Sequence, residues 1–173
     1  MFSELKKLGK HMIIYGTGIL LGKAIGFFLI PLYTHYLTPK DYGILELLDL
    51  TGYIISYFLG LGIDQAILRH YNIAYKKEEK DEFLSTALIF VIFFGAFLIS
   101  ILLPISKNFS RYILGSTQYT HLFSLLFVNL FLGSTLGLAK TVLRAQQKSL
   151  FFTIISLIYS LIAISLNIYF VAI

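Results

Sequence analysis

A single lysine, Lys23, stands in the middle of an apolar run that extends from residue 12 to residue 32. A charge at the centre of a membrane-spanning helix costs about 2.5–3.5 kcal/mol on insertion scales, so such a residue normally faces a protein interior or a watery cavity. Two carboxylates, Glu46 and Asp49, lie three residues apart in the next apolar run and share one helical face. Counted inward from the turn between the two runs, Lys23 lies ~13 Å below Leu32 and Asp49 ~10 Å below Tyr42 at ~1.5 Å per residue. These depths are close enough for the charges to pair. Two readings stand side by side: a structural buried ion pair, and functional charges in a transport cavity.

Other chemistry is harder to assemble. The segment Gly16-Thr17-Gly18-Ile19-Leu20-Leu21-Gly22-Lys23-Ala24 has the look of a phosphate loop, but Thr17 occupies the place of its first glycine. Ala24 stands where a Ser or Thr would bind magnesium, and the segment lies inside an apolar helix rather than after a strand. Nucleotide binding is therefore rejected. The four histidines, His11, His35, His70 and His121, all fall near helix ends without metal-ligand spacing. The chain has no cysteine, which excludes disulfides and thiolate chemistry. No nucleophile with a base and an orienting acid can be put together. No enzyme activity, cofactor or metal is expected.

The glycines have a better use. Gly18, Gly22 and Gly26 repeat every four residues and share one face, as do Asn129, Gly133 and Gly137 further on. Small residues at this spacing let another helix approach closely. A third stripe runs through Ser149, Thr153, Ser156, Ser160, Ala163 and Asn167. Helix packing and a water-accessible lumen both fit these faces, and the two can coexist. Asp64 and Arg69 read as interfacial residues.

The elements that must carry these residues follow from composition. Of 173 residues, 57% are hydrophobic and 13% charged, and the mean hydropathy is +0.81. A soluble domain of this size could not cover so much apolar surface, so the solvent is lipid. A helix needs roughly 20 apolar residues to cross a bilayer. Five runs qualify, at about 12–32, 43–63, 84–105, 122–139 and 150–171. The expected fold is an all-α integral membrane protein, a single transmembrane helical domain over 1–173. The first run is too long for the ~7–15-residue core of a signal peptide. It is expected to stop at Pro31 and the turn Thr38-Pro39-Lys40-Asp41, and the third to end near Pro104.

Orientation follows from the basic residues. Lys6, Lys7, Lys10, Arg69, Lys76, Lys77, Lys80, Lys140, Arg144 and Lys148 fall on one side, and Lys40, Lys107 and Arg111 on the other. The richer side is cytoplasmic by the positive-inside rule, which puts the N-terminus inside. The formal charge of +5 is thus a topology signal, and nucleic acid is not expected as a partner.

The run Ile30-Pro31-Leu32-Tyr33-Thr34-His35-Tyr36-Leu37-Thr38-Pro39-Lys40-Asp41-Tyr42-Gly43 resembles the first outer loop of bacterial polysaccharide and oligosaccharide flippases. Their superfamily also contains multidrug exporters and the peptidoglycan-precursor flippase. Ala66-Ile67-Leu68-Arg69-His70-Tyr71 is similar to the exit from the second helix in that family, and Leu143-Arg144-Ala145-Gln146-Gln147-Lys148 to the loop before the fifth. The resemblance covers essentially the whole chain. It implies the N-terminal lobe of a two-lobe bundle, lacking that lobe's sixth helix: a fragment, a truncated frame or half of a split pair. A partner chain would then supply the remaining helices. It further implies a lipid-linked oligosaccharide as substrate, with Lys23 attracting the pyrophosphate. Glu46 and Asp49 would balance that charge, or carry protons or sodium. Two alternatives remain: a multidrug exporter of the same superfamily, and a membrane assembly subunit without transport.

Overall fold

The computed structural model describes residues 16, 20, 27, 30, 31, 33–73 and 76–172, the side chains of 170–172 excepted. Five helices account for most of them: α1 (Pro39–Gly60), α2 (Ile63–Ile73), α3 (Lys77–Leu114), α4 (Thr120–Ala145) and α5 (Ser149–Ala172). A 3-10 turn, Thr117–Tyr119, joins α3 to α4, and no strand occurs among the described residues. Four segments among these residues are long and apolar enough to cross a bilayer: Pro39–Ile73, Lys77–Leu114, Thr117–Ala145 and Ser149–Tyr169. Large apolar side chains stand in the open, among them Tyr57, Phe93, Phe97, Leu125 and Leu161. In water such a surface would aggregate, whereas lipid solvates it. The chain is an all-α, multi-pass membrane protein.

Local chemistry explains most of the helix limits. Pro39 opens α1 at a position where a missing N–H loses nothing, and Asp41 in the first turn complements the positive helix end. Gly115 closes α3 with φ +67°, the left-handed conformation that glycine adopts without a Cβ clash. Ser116 then caps the 3-10 turn, its Oγ accepting from the N–H of Gln118 at 3.3 Å.

Both expected proline stops are corrected. Pro31 is helical, as are Tyr33–Tyr36, and the chain leaves the helix only at Leu37 and Thr38. The Thr34 hydroxyl donates to the carbonyls of Ile30 and Pro31, each at 3.0 Å. Pro104 likewise lies inside α3, which continues to Leu114. A proline removes one donor and crowds one carbonyl. Where flanking residues are tightly packed, as Leu102 and Ser106 are, a spanning helix continues past that defect.

The chain divides into two compact units, Met1–Pro39 with Gln146–Ile173, and Lys40–Ala145. Two apolar clusters hold the second unit. One joins α1, α3 and α4 through Leu48, Ile55, Leu59, Leu102, Phe123 and Phe127. Phe109 meets Phe127 edge-on there, with ring centroids 5.3 Å apart, an arrangement favoured by the ring quadrupoles. The other cluster gathers Ile67 of α2, Ala87 and Val91 of α3, and Leu138 and Ala145 of α4. Between α3 and α4, Ser124 donates to buried Ser106 at 3.1 Å, a polar link of the kind that holds spanning helices together. In the first unit, the Tyr33 hydroxyl donates to Asn167 Oδ1 of α5 at 2.5 Å.

Candidate functional site

The apolar stretch that starts at Pro39 does not run through as one helix. It breaks at Leu61 (φ +42°) and Gly62 (φ +72°), between α1 and α2. Two consecutive left-handed residues cannot continue a right-handed helix. The break restarts hydrogen bonding, with Gln65 and Ala66 both donating to the Gly62 carbonyl at 3.1 Å. It also places Asp64 and Gln65 in the first turn of α2.

Beside this break lies a cavity of about 500 Å³. Its walls come from the end of α1 (Ser56, Tyr57, Leu59, Gly60), the break and start of α2 (Gly62, Asp64, Gln65), Val91 of α3, and Asn129, Gly133, Ser134 and Gly137 of α4. Asp64 is anchored at its rim. Thr141 Oγ1 donates to Asp64 Oδ1 at 2.7 Å, which leaves Oδ2 without a partner among the described residues. Glycine makes the room on the α4 side: a Cβ at Gly133 or Gly137 would meet nothing within 4 Å. No lysine or arginine lines the cavity among the described residues.

Helical arithmetic ties this cavity to the paired carboxylates. Leu48, Thr51, Gly52, Ile55 and Leu59 are the buried residues of α1 and fall on one face at i, i+3, i+4, i+7 and i+11. Glu46, Asp49, Tyr53, Tyr57 and Gly60 recur at steps of three and four on the opposite face. Glu46 and Asp49 are exposed on it, and Tyr57 and Gly60 are part of the cavity wall. One side of α1 is thus a polar track that starts at Glu46 and ends in the cavity.

Among the residues singled out from sequence, Lys23, Gly18, Gly22 and Gly26 lie outside the described residues, and with them the pairing of Lys23 to Glu46 or Asp49. Gly133 and Gly137 share a face with Asn129 and line the cavity with it. Asn167, from the third stripe, receives the Tyr33 bond. Sequence reasoning missed three features. Asp64, read from sequence as interfacial, also lines the cavity. Its signal is the preceding Gly60-Leu61-Gly62, two glycines where a helix is easily broken. Gly52 and Gly95 are the glycines of closest helix approach. A Cβ at Gly52 would lie 3.2 Å from Leu126, and one at Gly95 would lie 2.7 Å from the Phe131 ring.

No curated protein and no solved structure matches the chain. The family of polysaccharide biosynthesis proteins does, over residues 34–173. That match covers α1 to α5, the cavity and the track leading to it, so this multi-pass membrane protein belongs to the polysaccharide biosynthesis protein family.

Proposed function

We propose that the chain belongs to a flippase that carries an oligosaccharide, linked to polyprenyl pyrophosphate, across the cytoplasmic membrane for polysaccharide assembly. The observation that carries this reading is the polar track of α1 running into the cavity, in a chain whose spanning helices, among the described residues, otherwise expose mainly large apolar side chains. Sugar hydroxyls cannot cross bare hydrocarbon, since each unpaired polar group costs several kcal/mol there. A transporter supplies a polar cavity that opens to one side at a time. Lys23 is the residue assigned to the pyrophosphate. Glu46 and Asp49 balance its charge or carry the coupling ion. No bond is made or broken in this scheme. The N-terminus lies in the cytoplasm, and the helices of a second lobe come from further sequence or from a partner chain.

The test is made in cells lacking the gene and complemented with the full-length protein or its Lys23→Ala variant. Lipid-linked sugar exposed on the outer leaflet is measured with a lectin on spheroplasts. The deletion traps the sugar-lipid inside. Lys23→Ala inserts normally yet fails to restore exposure. Unchanged exposure in the deletion strain defeats the flippase reading, and full rescue by Lys23→Ala defeats the role of that lysine.

A further inference from the structure

We infer that the cavity beside the α1–α2 break is a sugar subsite selective for uncharged or amino-bearing sugars over uronic acids. The inference rests on the flippase reading for its biological setting, but its argument is the cavity's own chemistry. A pyranose presents a ring of hydroxyls, each both donor and acceptor, around apolar C–H faces. The cavity offers the matching set. Asp64 Oδ2 is a strong acceptor held in place through the Thr141 bond to Oδ1. Gln65 and Asn129 each provide an acceptor and two donors. Tyr57 adds an exposed aromatic face at the wall, with a hydroxyl at its tip.

Size agrees. A cavity of about 500 Å³ falls within the ~300–1,000 Å³ of small-molecule sites. The bare backbones of Gly133 and Gly137 leave open space beside them, so a flat ring can lie against α4.

Charge sets the selectivity. The lining carries one carboxylate and, among the described residues, no lysine or arginine. An anionic sugar brought to Asp64 would meet like charge with no lysine or arginine in the lining among the described residues, which disfavours binding. A neutral hexose accepts the same carboxylate as a hydrogen-bond partner, and an ammonium-bearing sugar gains further from it. Division of labour follows. The pyrophosphate end of the substrate is handled elsewhere, and this cavity reads the sugar.

The experiment uses the full chain in nanodiscs, with saturation-transfer NMR on three probes at pH 7: maltose, its counterpart with one glucuronic acid unit, and tetraphenylphosphonium as a lipophilic cation. Maltose is expected to show transfer, and the uronate at least ten-fold less. Asp64→Asn is expected to raise the uronate signal relative to maltose, because it removes the charge and keeps the shape. Gly133→Leu, which fills the cavity, is expected to abolish maltose transfer. A preference for maltose that shifts on Asp64→Asn is a readout that misfolding cannot produce. Equal transfer from maltose and the uronate, no transfer from maltose, or no shift in Asp64→Asn overturns the inference. Competition of tetraphenylphosphonium with maltose at lower concentration overturns it in favour of a drug-type cavity. The outcome is separable from the cell assay. Sugar-lipid trapped in the deletion strain with no maltose binding sinks this subsite alone, whereas selective binding with normal export sinks the flippase reading alone.

Discussion

Gly95 stands against the Phe131 ring, where a Cβ would come 2.7 Å from Cδ2 and 3.0 Å from Cε2. A ring is stiff and cannot swing its end aside as a lysine can. Gly95→Ala is therefore expected to destabilise the packing of α3 on α4 by about 1–3 kcal/mol, the usual range for overpacking. Gly133→Ala, with open space, is expected to leave stability unchanged or raise it by up to ~1 kcal/mol through helix propensity. Denaturation in mixed SDS micelles, followed by circular dichroism, compares the two. Equal loss in both variants would remove the distinction. These two glycines also show what single residues disclose in a sequence. Gly133 was legible because Asn129 and Gly137 repeat around it at steps of four. Gly95 was not, because its neighbours at four residues are Val91 and Ile99, and nothing in the chain announces that Phe131 will face it. The place of Asp64 in the cavity went unseen for a related reason. A charge at the end of an apolar run looks like a boundary, and the turn that brings it to the cavity is a backbone event.

At the scale of elements, the apolar runs read plainly as helices, because roughly 20 apolar residues without charges have one low-energy form in lipid. The limits were harder. Prolines suggested stops at Pro31 and Pro104, but both are helical, Pro104 between the buried Leu102 and Ser106. The helix through Pro31 ends at Leu37 and Thr38, whereas α1 and α3 stop at left-handed residues, Leu61-Gly62 and Gly115. They can be tested cleanly, because a Cβ at Gly62 or Gly115 would meet nothing within 4 Å. Any loss in Gly62→Ala or Gly115→Ala is then conformational, and about 1–2 kcal/mol is expected for each, the strain of an L-residue in that region. Leu61 already bears this strain at φ +42°, so Leu61→Gly is expected to be neutral or stabilising in the same SDS titration. A clear loss there would mean that the Leu61 side chain, not the backbone, holds the corner.

For the whole molecule, composition made the four spanning segments among the described residues legible, and the distribution of lysine and arginine supplies an expected orientation that labelling can test. Neither source could supply the cavity, since no periodicity in α1 or α4 alone says which helices meet. The native sequence has no cysteine, so every introduced one reports a single place. Glu78→Cys and Asn108→Cys, at opposite ends of α3 and both exposed, are expected to react with a membrane-impermeant maleimide from opposite sides, Glu78→Cys from the cytoplasm. Labelling from one side only would reverse or remove this span. The length of α3 makes a further demand. Its 38 residues measure about 57 Å at ~1.5 Å per residue. Even tilted by ~40°, such a rod reaches ~44 Å through a slab whose oily centre is ~30 Å. An overhang is unavoidable, and the charged turns from Lys77 to Glu82 mark the end that emerges. Near it, α2 is clamped on, with His70 stacked on Phe83 at 4.1 Å and Lys80 above the Tyr71 ring at 4.5 Å. What rises from the bilayer there is a braced shoulder of two helices, stiff enough to keep the rim at Asp64 in shape while water laps against it.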